Sequence, residues 1–119
     1  MKIYIAGPMR GCVMLNFPEF YRIESIWNDA GWWTINPAQM DKDHGHDPTV
    51  DKEMEKNGLD FDECMARDLP AVASCDAICL MKGWQKSVGA NTELAHAIKT
   101  GKKVYCAHSM MEVDWQPVI

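Results

Sequence analysis

Residues 2–8 read KIYIAGP, a short apolar run that ends abruptly in a Gly-Pro turn. Isoleucine and tyrosine favour extended backbone, and an apolar run without polar alternation is typical of a strand buried on both faces. We therefore predict a buried first strand over Lys2–Ala6 and a loop over residues 7–16.

Three later segments repeat this character and are predicted as strands. They are Trp33–Asn36 (WTIN), Asp76–Met81 (DAICLM) and Lys103–Ala107 (KVYCA). The remaining tail to Ile119 has little pattern. Because the strands are separated by helical segments, the sequence predicts a mostly parallel sheet with helices on both faces.

The intervening segments space their apolar residues three to four positions apart, as helices do. The first helix is predicted to follow Asn16, a candidate N-cap, and to stop at Gly31. Its apolar face consists of Phe17, Phe20, Ile23 and Trp27. A second helix is predicted over Leu59–Ser74, with Pro70 kinking or restarting it. A third helix is predicted to run through Thr100.

A chain of 119 residues is long enough for one domain only. In parallel sheets, ligands bind at the carboxyl ends of the strands, which places the loops 7–16, 36–58 and 82–91 on one edge. Residues 39–58 hold most of the turn formers and charges and are predicted to form a polar flap. His44 and His46 with nearby aspartates match no zinc or calcium spacing, so no metal site is predicted there.

Bulk properties exclude several functions. The net charge is −5 and the basic residues are scattered, which argues against binding a nucleic-acid polymer. No apolar stretch is long enough to span a membrane, and the opening run is too short for a signal peptide. Five cysteines without a CxxC pair indicate reduced thiols, so we expect a cytoplasmic protein.

Two glycine-containing segments are candidate ligand loops. The first is Gly7-Pro8-Met9-Arg10-Gly11, where glycine allows close backbone approach and arginine offers a forked donor for phosphate or carboxylate. It matches neither a dinucleotide fingerprint nor a Walker motif. The alternative is a tight turn with a solvated arginine.

The second segment, residues 87–93 (SVGANTE), opens a helix. Free N–H groups at a helix start bind anions, and the hydroxyl of Ser87 adds a donor, with Gly89 and Ala90 leaving room. If the helix starts near Gly89 or Ala90, Glu93 lies in or near its first turn, where the helix dipole favours an ionised carboxylate. The alternative is that Ser87 only caps the helix and Glu93 only stabilises its end.

Two further residues are candidates on the same edge. Asp68 lies among apolar neighbours, and together with Glu93 it provides two carboxylates that can divide proton handling and nucleophilic attack. A lone helical aspartate is otherwise solvated or paired with an arginine. Trp84, beside Gly83, is either a core residue or a platform on which a base stacks.

The order of these signals is more specific than any one of them. GPMRG after the first strand, RDL-x5-CDA over residues 67–77, and GW-x2-S-x-GA-x2-E-x3-A over residues 83–97 together resemble the nucleoside 2-deoxyribosyltransferase superfamily. The chain looks like its short, phage- or bacteria-encoded branch and is similar to the 2'-deoxynucleoside 5'-phosphate N-hydrolases. The resemblance spans the chain except the flap and the tail.

This resemblance implies a single domain over residues 1–119 with a flavodoxin-like or Rossmann-like three-layer sandwich, a sheet of four to five strands, and an active site shared across a homodimer or higher homo-oligomer. It implies that Glu93 is the nucleophile and that Asp68 orients the sugar or handles the proton. Ser87 stands where the transferases carry an aspartate that meets the free 5'-hydroxyl. A hydroxyl there removes repulsion against a 5'-phosphate, and Arg10 would pair with that phosphate.

The expected function is therefore N-glycosidic cleavage of a nucleoside or deoxynucleoside 5'-monophosphate, with no metal or organic cofactor. Two alternatives stay open. One is a binding module that retains a nucleotide without turning it over, and the other is a transferase that moves deoxyribose between bases.

Overall fold

Four parallel strands and one short antiparallel strand form a single sheet in the computed structural model, which describes residues 1–9, 12–43 and 61–113. The strands are β1 (Lys2–Ala6), β2 (Trp33–Ile35), β3 (Ala77–Leu80), β4 (Lys103–Cys106) and β5 (Glu112–Val113), in the order β2-β1-β3-β4-β5. The four predicted strands are confirmed, the last three of them ending one residue early. The predicted sheet of four to five strands allowed for the fifth, but its position was not predicted, because two residues carry no readable period.

β1 lies inside the sheet and pairs in parallel with both β2 and β3. Tyr4, for example, is opposite Ile35 on one side and Ile78 on the other. β3 continues in parallel to β4, whereas β5 returns antiparallel beside β4. The carboxyl ends of the four parallel strands consequently meet at one edge, as the sequence predicted.

Within the part of the chain that the structure describes, the two faces of the sheet are covered by four helices: α1 (Phe17–Asp29), α2 (Pro37–Asp43), α3 (Phe61–Ser74) and α4 (Val88–Lys99). Side chains alternate across a strand, so Ile3 and Ile5 pack with α1 and α2 on one face. Tyr4 and Ala6 pack with α3 and α4 on the other. This arrangement is the expected three-layer α/β sandwich with a mostly parallel sheet.

Several predicted boundaries were wrong. Residues 39–43 of the predicted flap are helical and belong to α2, while residues 44–58 lie outside the described residues. α3 runs through Pro70 as one helix, so the restart that was predicted there as the alternative to a kink does not occur. α4 begins at Val88, which places Glu93 in its second turn, beyond the first turn in which the dipole acts most strongly.

The loop after β1 contains a left-handed turn. Met14, Leu15 and Asn16 have φ angles of 51°, 52° and 63°, a conformation that few residues other than glycine adopt in succession. Asn16 occupies the N-cap position of α1, as predicted. Its side chain, however, makes no capping hydrogen bond to the helix. Its amide nitrogen instead donates a 2.9 Å hydrogen bond to the carbonyl of Pro8, which ties the turn to the end of β1.

Among the described helices, none is both long and apolar enough to cross a bilayer. All five cysteines are free thiols, and Cys75 and Cys79 are buried in the core. Burial raises the pKa of the Cys79 thiol, which makes that thiol an inert apolar group.

Candidate active site

A cavity of about 660 Å³ opens at the carboxyl edge of the sheet. Its volume lies within the range of small-molecule sites. The wall comes from the loop after β1, the start and end of α2, α3, the loop after β3 and the first turns of α4. Its lining residues include Gly7, Pro8, Met9, Leu15, Asp41, Met65, Arg67, Asp68, Gly83, Ser87, Gly89, Ala90 and Glu93. Most of the predicted site residues therefore share one cavity.

Two acidic side chains meet at the bottom of the cavity. Glu93 projects from α4 and Asp68 from α3, and their fractional exposures are only 5% and 4%. The hydroxyl of Tyr4, on β1, donates a 2.5 Å hydrogen bond to Oε2 of Glu93. Residues far apart in the chain are thus brought together by the packing of α3 and α4 on β1.

The surroundings of Glu93 disfavour its ionised form. Burial and the nearby Asp68 raise the pKa of Glu93 well above its ordinary value, and the hydrogen bond from Tyr4 and the charge of Arg67 only partly oppose them. The helix dipole was expected to favour the ionised carboxylate, but desolvation acts in the opposite direction and is the larger effect on this pKa. Burial also raises the pKa of Tyr4, so its hydroxyl stays a donor.

An ion-pair network adjoins the two acids. Nε of Arg67 donates to Oδ1 of Asp68 at 2.7 Å, and Nη1 donates to Oδ1 of Asp41 at 2.5 Å. Burial lowers the pKa of Arg67, but the two carboxylate hydrogen bonds outweigh burial, so the pKa lies above its ordinary value. Arg67 is therefore permanently charged.

The opposite wall is built from backbone and small residues. A Cβ at Gly7 would lie 2.7 Å from Cβ of Met81, so only glycine fits where β1 leaves the sheet. Gly83 has a φ of +89° and turns the chain from β3 toward α4, 3.3 Å from Pro8 at its Cβ position. The two predicted glycine loops consequently lie side by side.

The start of α4 faces the cavity. Oγ of Ser87 accepts a 3.1 Å hydrogen bond from the backbone N–H of Ala90, which caps the helix. The hydroxyl proton of Ser87 is still able to donate to a ligand. Lys82 and Lys86 also line the cavity and are exposed, which adds positive charge beside this helix start.

The predicted residues do not all reach the cavity. Trp84 is half-buried against the apolar cluster beneath α3 and α4 and is not among the cavity-lining residues, so this geometry favours its core role over base stacking. Arg10 and Gly11 lie outside the described residues, as do His44 and His46. Within the described ranges no group of three or more potential metal ligands is present.

The site residues missed from the sequence include Tyr4, Arg67 and Asp41 in the cavity and Lys82 and Lys86 at its rim. Tyr4 gave a partial signal, because it is the polar-tipped residue of an otherwise apolar strand. Arg67 was considered only as a possible partner for Asp68. Asp41 was assigned to the polar flap, and its burial became visible only once α2 was placed.

Comparison with known proteins identifies the family. Residues 1–106 match the family described as domain of unknown function DUF4406, and the chain belongs to that family. No curated protein sequence matches it significantly. The fold is similar to that of a Clostridium botulinum CMP N-glycosidase, BcmB, with a TM-score of 0.51 and 19% identity over 93% of this chain and 83% of that chain. At this identity, the likeness concerns the fold.

Proposed function

We propose that the protein is an N-glycosidase that cleaves the base–sugar bond of a nucleoside or deoxynucleoside 5'-monophosphate, with Glu93 as the nucleophile. One observation carries the proposal: Asp68 and Glu93, 25 positions apart, meet with Tyr4 at the bottom of a cavity whose rim is a helix start. The sequence resemblance to nucleoside 2-deoxyribosyltransferases and the fold shared with a CMP N-glycosidase support it.

The proposed chemistry follows glycoside hydrolysis, in which the bond breaks through an oxocarbenium-like transition state. Tyr4 holds Oε2 of Glu93, which leaves Oε1 for the anomeric carbon of the sugar. Glu93 forms a glycosyl–enzyme bond there or stabilises the cation. Asp68 passes a proton toward the departing base. Water then attacks the anomeric carbon, which breaks any bond to Glu93 and releases the sugar phosphate.

The start of α4 is the proposed phosphate site. Its first backbone N–H groups, the hydroxyl of Ser87 and the two nearby lysines are donors suited to a phosphate dianion. Binding energy from the phosphate fixes the sugar over Glu93, and so it increases the rate at which the N-glycosidic bond, distant from the phosphate, is broken. Arg10, predicted to join this site, lies outside the described residues.

The test is direct. Wild-type protein is incubated with a panel of ribo- and deoxyribonucleoside monophosphates, and free base is measured by chromatography. Glu93→Gln keeps the size of the side chain but is not a nucleophile, so base release should fall at least about a thousandfold. Glu112→Gln removes an exposed glutamate on β5, away from the cavity, and is the matched control.

The same assay separates the alternatives. Turnover that requires an added acceptor base would identify a transferase. Tight retention of a monophosphate with no product after long incubation would identify a binding module. Base release by Glu93→Gln at the wild-type rate would contradict the proposed nucleophile.

A further inference from the structure

Arg67 has an unusual position for a helical residue. Neighbouring residues on a helix point in different directions, yet Arg67 folds back to hydrogen-bond Asp68, the residue that follows it. Its other end reaches Asp41 on α2, which is completely buried. A buried carboxylate is costly without a partner of opposite charge, so this contact fixes α2 against α3 at the cavity wall.

The cations around Glu93 differ in their contacts. Lys82 and Lys86 are exposed at the cavity rim, whereas the guanidinium of Arg67 hydrogen-bonds Asp68 and Asp41 and acts on Glu93 through its charge. Asp68 and Glu93 form a pair of buried carboxyl groups in this cavity, and the nearby Asp68 is one cause of the raised pKa of Glu93. The guanidinium of Arg67 hydrogen-bonds the Asp68 carboxylate of this pair.

We propose that Arg67, anchored by Asp41, is a positioning residue that holds the Asp68 carboxylate beside Glu93 and supplies the positive charge next to this pair. This inference rests on the proposed function, because it assigns Arg67 and Asp41 to the same reaction. Neither residue is required to contact the sugar.

The proposal predicts that substitutions at Arg67 and at Asp41 change the proton affinity of the Asp68/Glu93 pair in opposite directions. Removing the positive charge of Arg67 makes the pair bind its proton more tightly, whereas removing the negative charge of Asp41 makes it bind the proton less tightly. A purely structural role predicts loss of stability in both variants and no such opposition. The charged or titratable groups around Glu93 that enter this comparison are Tyr4 on β1, Asp68 and Arg67 on α3, Asp41 on α2, Lys82 and Lys86 at the rim, and His96 on α4 itself.

The first measurement does not depend on activity. The side-chain carboxyl of Glu93 is followed by ¹³C NMR during a pH titration of the ligand-free protein, with Glu93→Gln used to assign the signal. In Arg67→Met the apparent pKa of the pair should rise by about one unit, and in Asp41→Asn it should fall, since a charge at this distance has effects of that size. Shifts in the same direction, or no shift, would overturn the proposal.

The second measurement uses turnover. Arg67→Lys keeps the charge, but one ammonium cannot span both carboxylates as a guanidinium does, so kcat should fall about tenfold or more with the Glu93 titration nearly unchanged. Because Arg67 is not expected to touch substrate, KM should change little. Arg22→Met is the matched control: it removes an arginine that also binds a carboxylate, Glu19, outside the cavity. Unchanged kcat in Arg67→Lys would overturn the positioning role.

The two measurements separate this inference from the proposed function. If wild-type protein releases no base but the titrations shift in opposite directions, the charge arrangement is correct and the glycosidase assignment is wrong. If base is released and the titrations do not shift, the glycosidase stands and this role for Arg67 and Asp41 is wrong. If circular dichroism shows that Arg67→Met or Asp41→Asn is unfolded, Arg67→Gln or Asp41→Ser replaces it in the titration, because each removes the same charge and keeps a polar side chain.

Discussion

Glu93 is in a position where an ionised carboxyl group is unfavourable. Its side chain is buried, and Asp68 adds a second negative charge beside it. The hydrogen bond from Tyr4 orients one oxygen without removing this cost. The residue best placed for chemistry is therefore one that reduces the stability of the folded protein at neutral pH.

This conflict predicts a pH-dependent gain in stability for Glu93→Gln. Because the folded-state pKa is raised above the ordinary 4.5, the folded protein holds more protons than the unfolded chain, and stability is lost as pH rises from that ordinary value through the folded value. Glutamine does not titrate. The variant should therefore gain on the order of 1 kcal/mol over wild type at pH 8, since each pKa unit is worth about 1.4 kcal/mol.

Urea denaturation at pH 4 and pH 8 measures this difference. The gain should shrink or vanish at pH 4, where the glutamate is protonated in both states. A gain that is equal at the two pH values would show that packing, rather than ionisation, separates the variants. Glu112→Gln, an exposed substitution outside the cavity, is measured in parallel as the control.

At the scale of single elements, the start of α4 combines two tasks. Ser87 caps the helix by accepting a hydrogen bond at Oγ, which leaves its hydroxyl proton to donate to the proposed phosphate. Helix capping and anion binding both use groups left unpaired at a helix start, which is why one residue can serve both. The two tasks are separable by substitution.

Ser87→Asp should reverse the preference for a 5'-phosphate while keeping the helix intact. Aspartate caps helices as well as serine does, but its charge repels a phosphate dianion. We expect kcat/KM for monophosphates to fall about a hundredfold relative to the matching nucleosides, because the lost donor and the added repulsion together amount to a few kcal/mol. Parallel kinetics on a monophosphate and its nucleoside measure the ratio.

Ser87→Ala separates the two contributions. It removes both the cap and the donor, so the free energy of unfolding should fall by about 1 kcal/mol and phosphate binding should weaken. It adds no repelling charge, so its preference should shift toward the nucleoside less than that of Ser87→Asp. Equal losses on monophosphate and nucleoside in Ser87→Asp would place the phosphate elsewhere in the cavity.

The elements themselves differ in how far the sequence predicted them. β1, α1 and β3 have strong apolar patterns, and their positions were predicted within a residue or two. α2 was missed because PAQMDKD has no apolar period, and its helix depends on the burial of Pro37, Ala38 and Asp41 by the rest of the protein. The start of α4 was placed late because glycine and small polar residues suggest a loop.

At the scale of the whole molecule, the parallel arrangement of the strands explains which parts of the site were predicted from the sequence. Parallel strands bring their carboxyl ends to one edge, so the convergence of the two glycine loops followed from topology. The contact between Arg67 and Asp41 did not, because it depends on how α2 and α3 pack together, and no local pattern encodes that distance. The homo-oligomer, the nucleotide substrate and the cytoplasmic location stay predictions.

Trp27 packs α1 against the sheet. Its indole N–H donates a 3.1 Å hydrogen bond to the carbonyl of Ala107, and its ring packs edge-to-face on Trp32 and Tyr105. Trp27→Leu leaves a cavity and an unpaired carbonyl, so the free energy of unfolding should fall by about 2–4 kcal/mol. Chemical denaturation measures the loss. A loss below about 1 kcal/mol would show that α1 repacks.

The left-handed turn at Met14, Leu15 and Asn16 has a consequence for how the cavity can diversify. Three successive residues adopt a backbone that glycine tolerates best, yet none of them is glycine, and Leu15 and Asn16 shape the cavity wall. Glycine there would relieve strain but remove that wall, whereas bulkier or β-branched residues would add strain. Smaller and larger residues are therefore both unfavourable at Leu15 and Asn16, and new ligand preferences should arise from substitutions elsewhere around the rim.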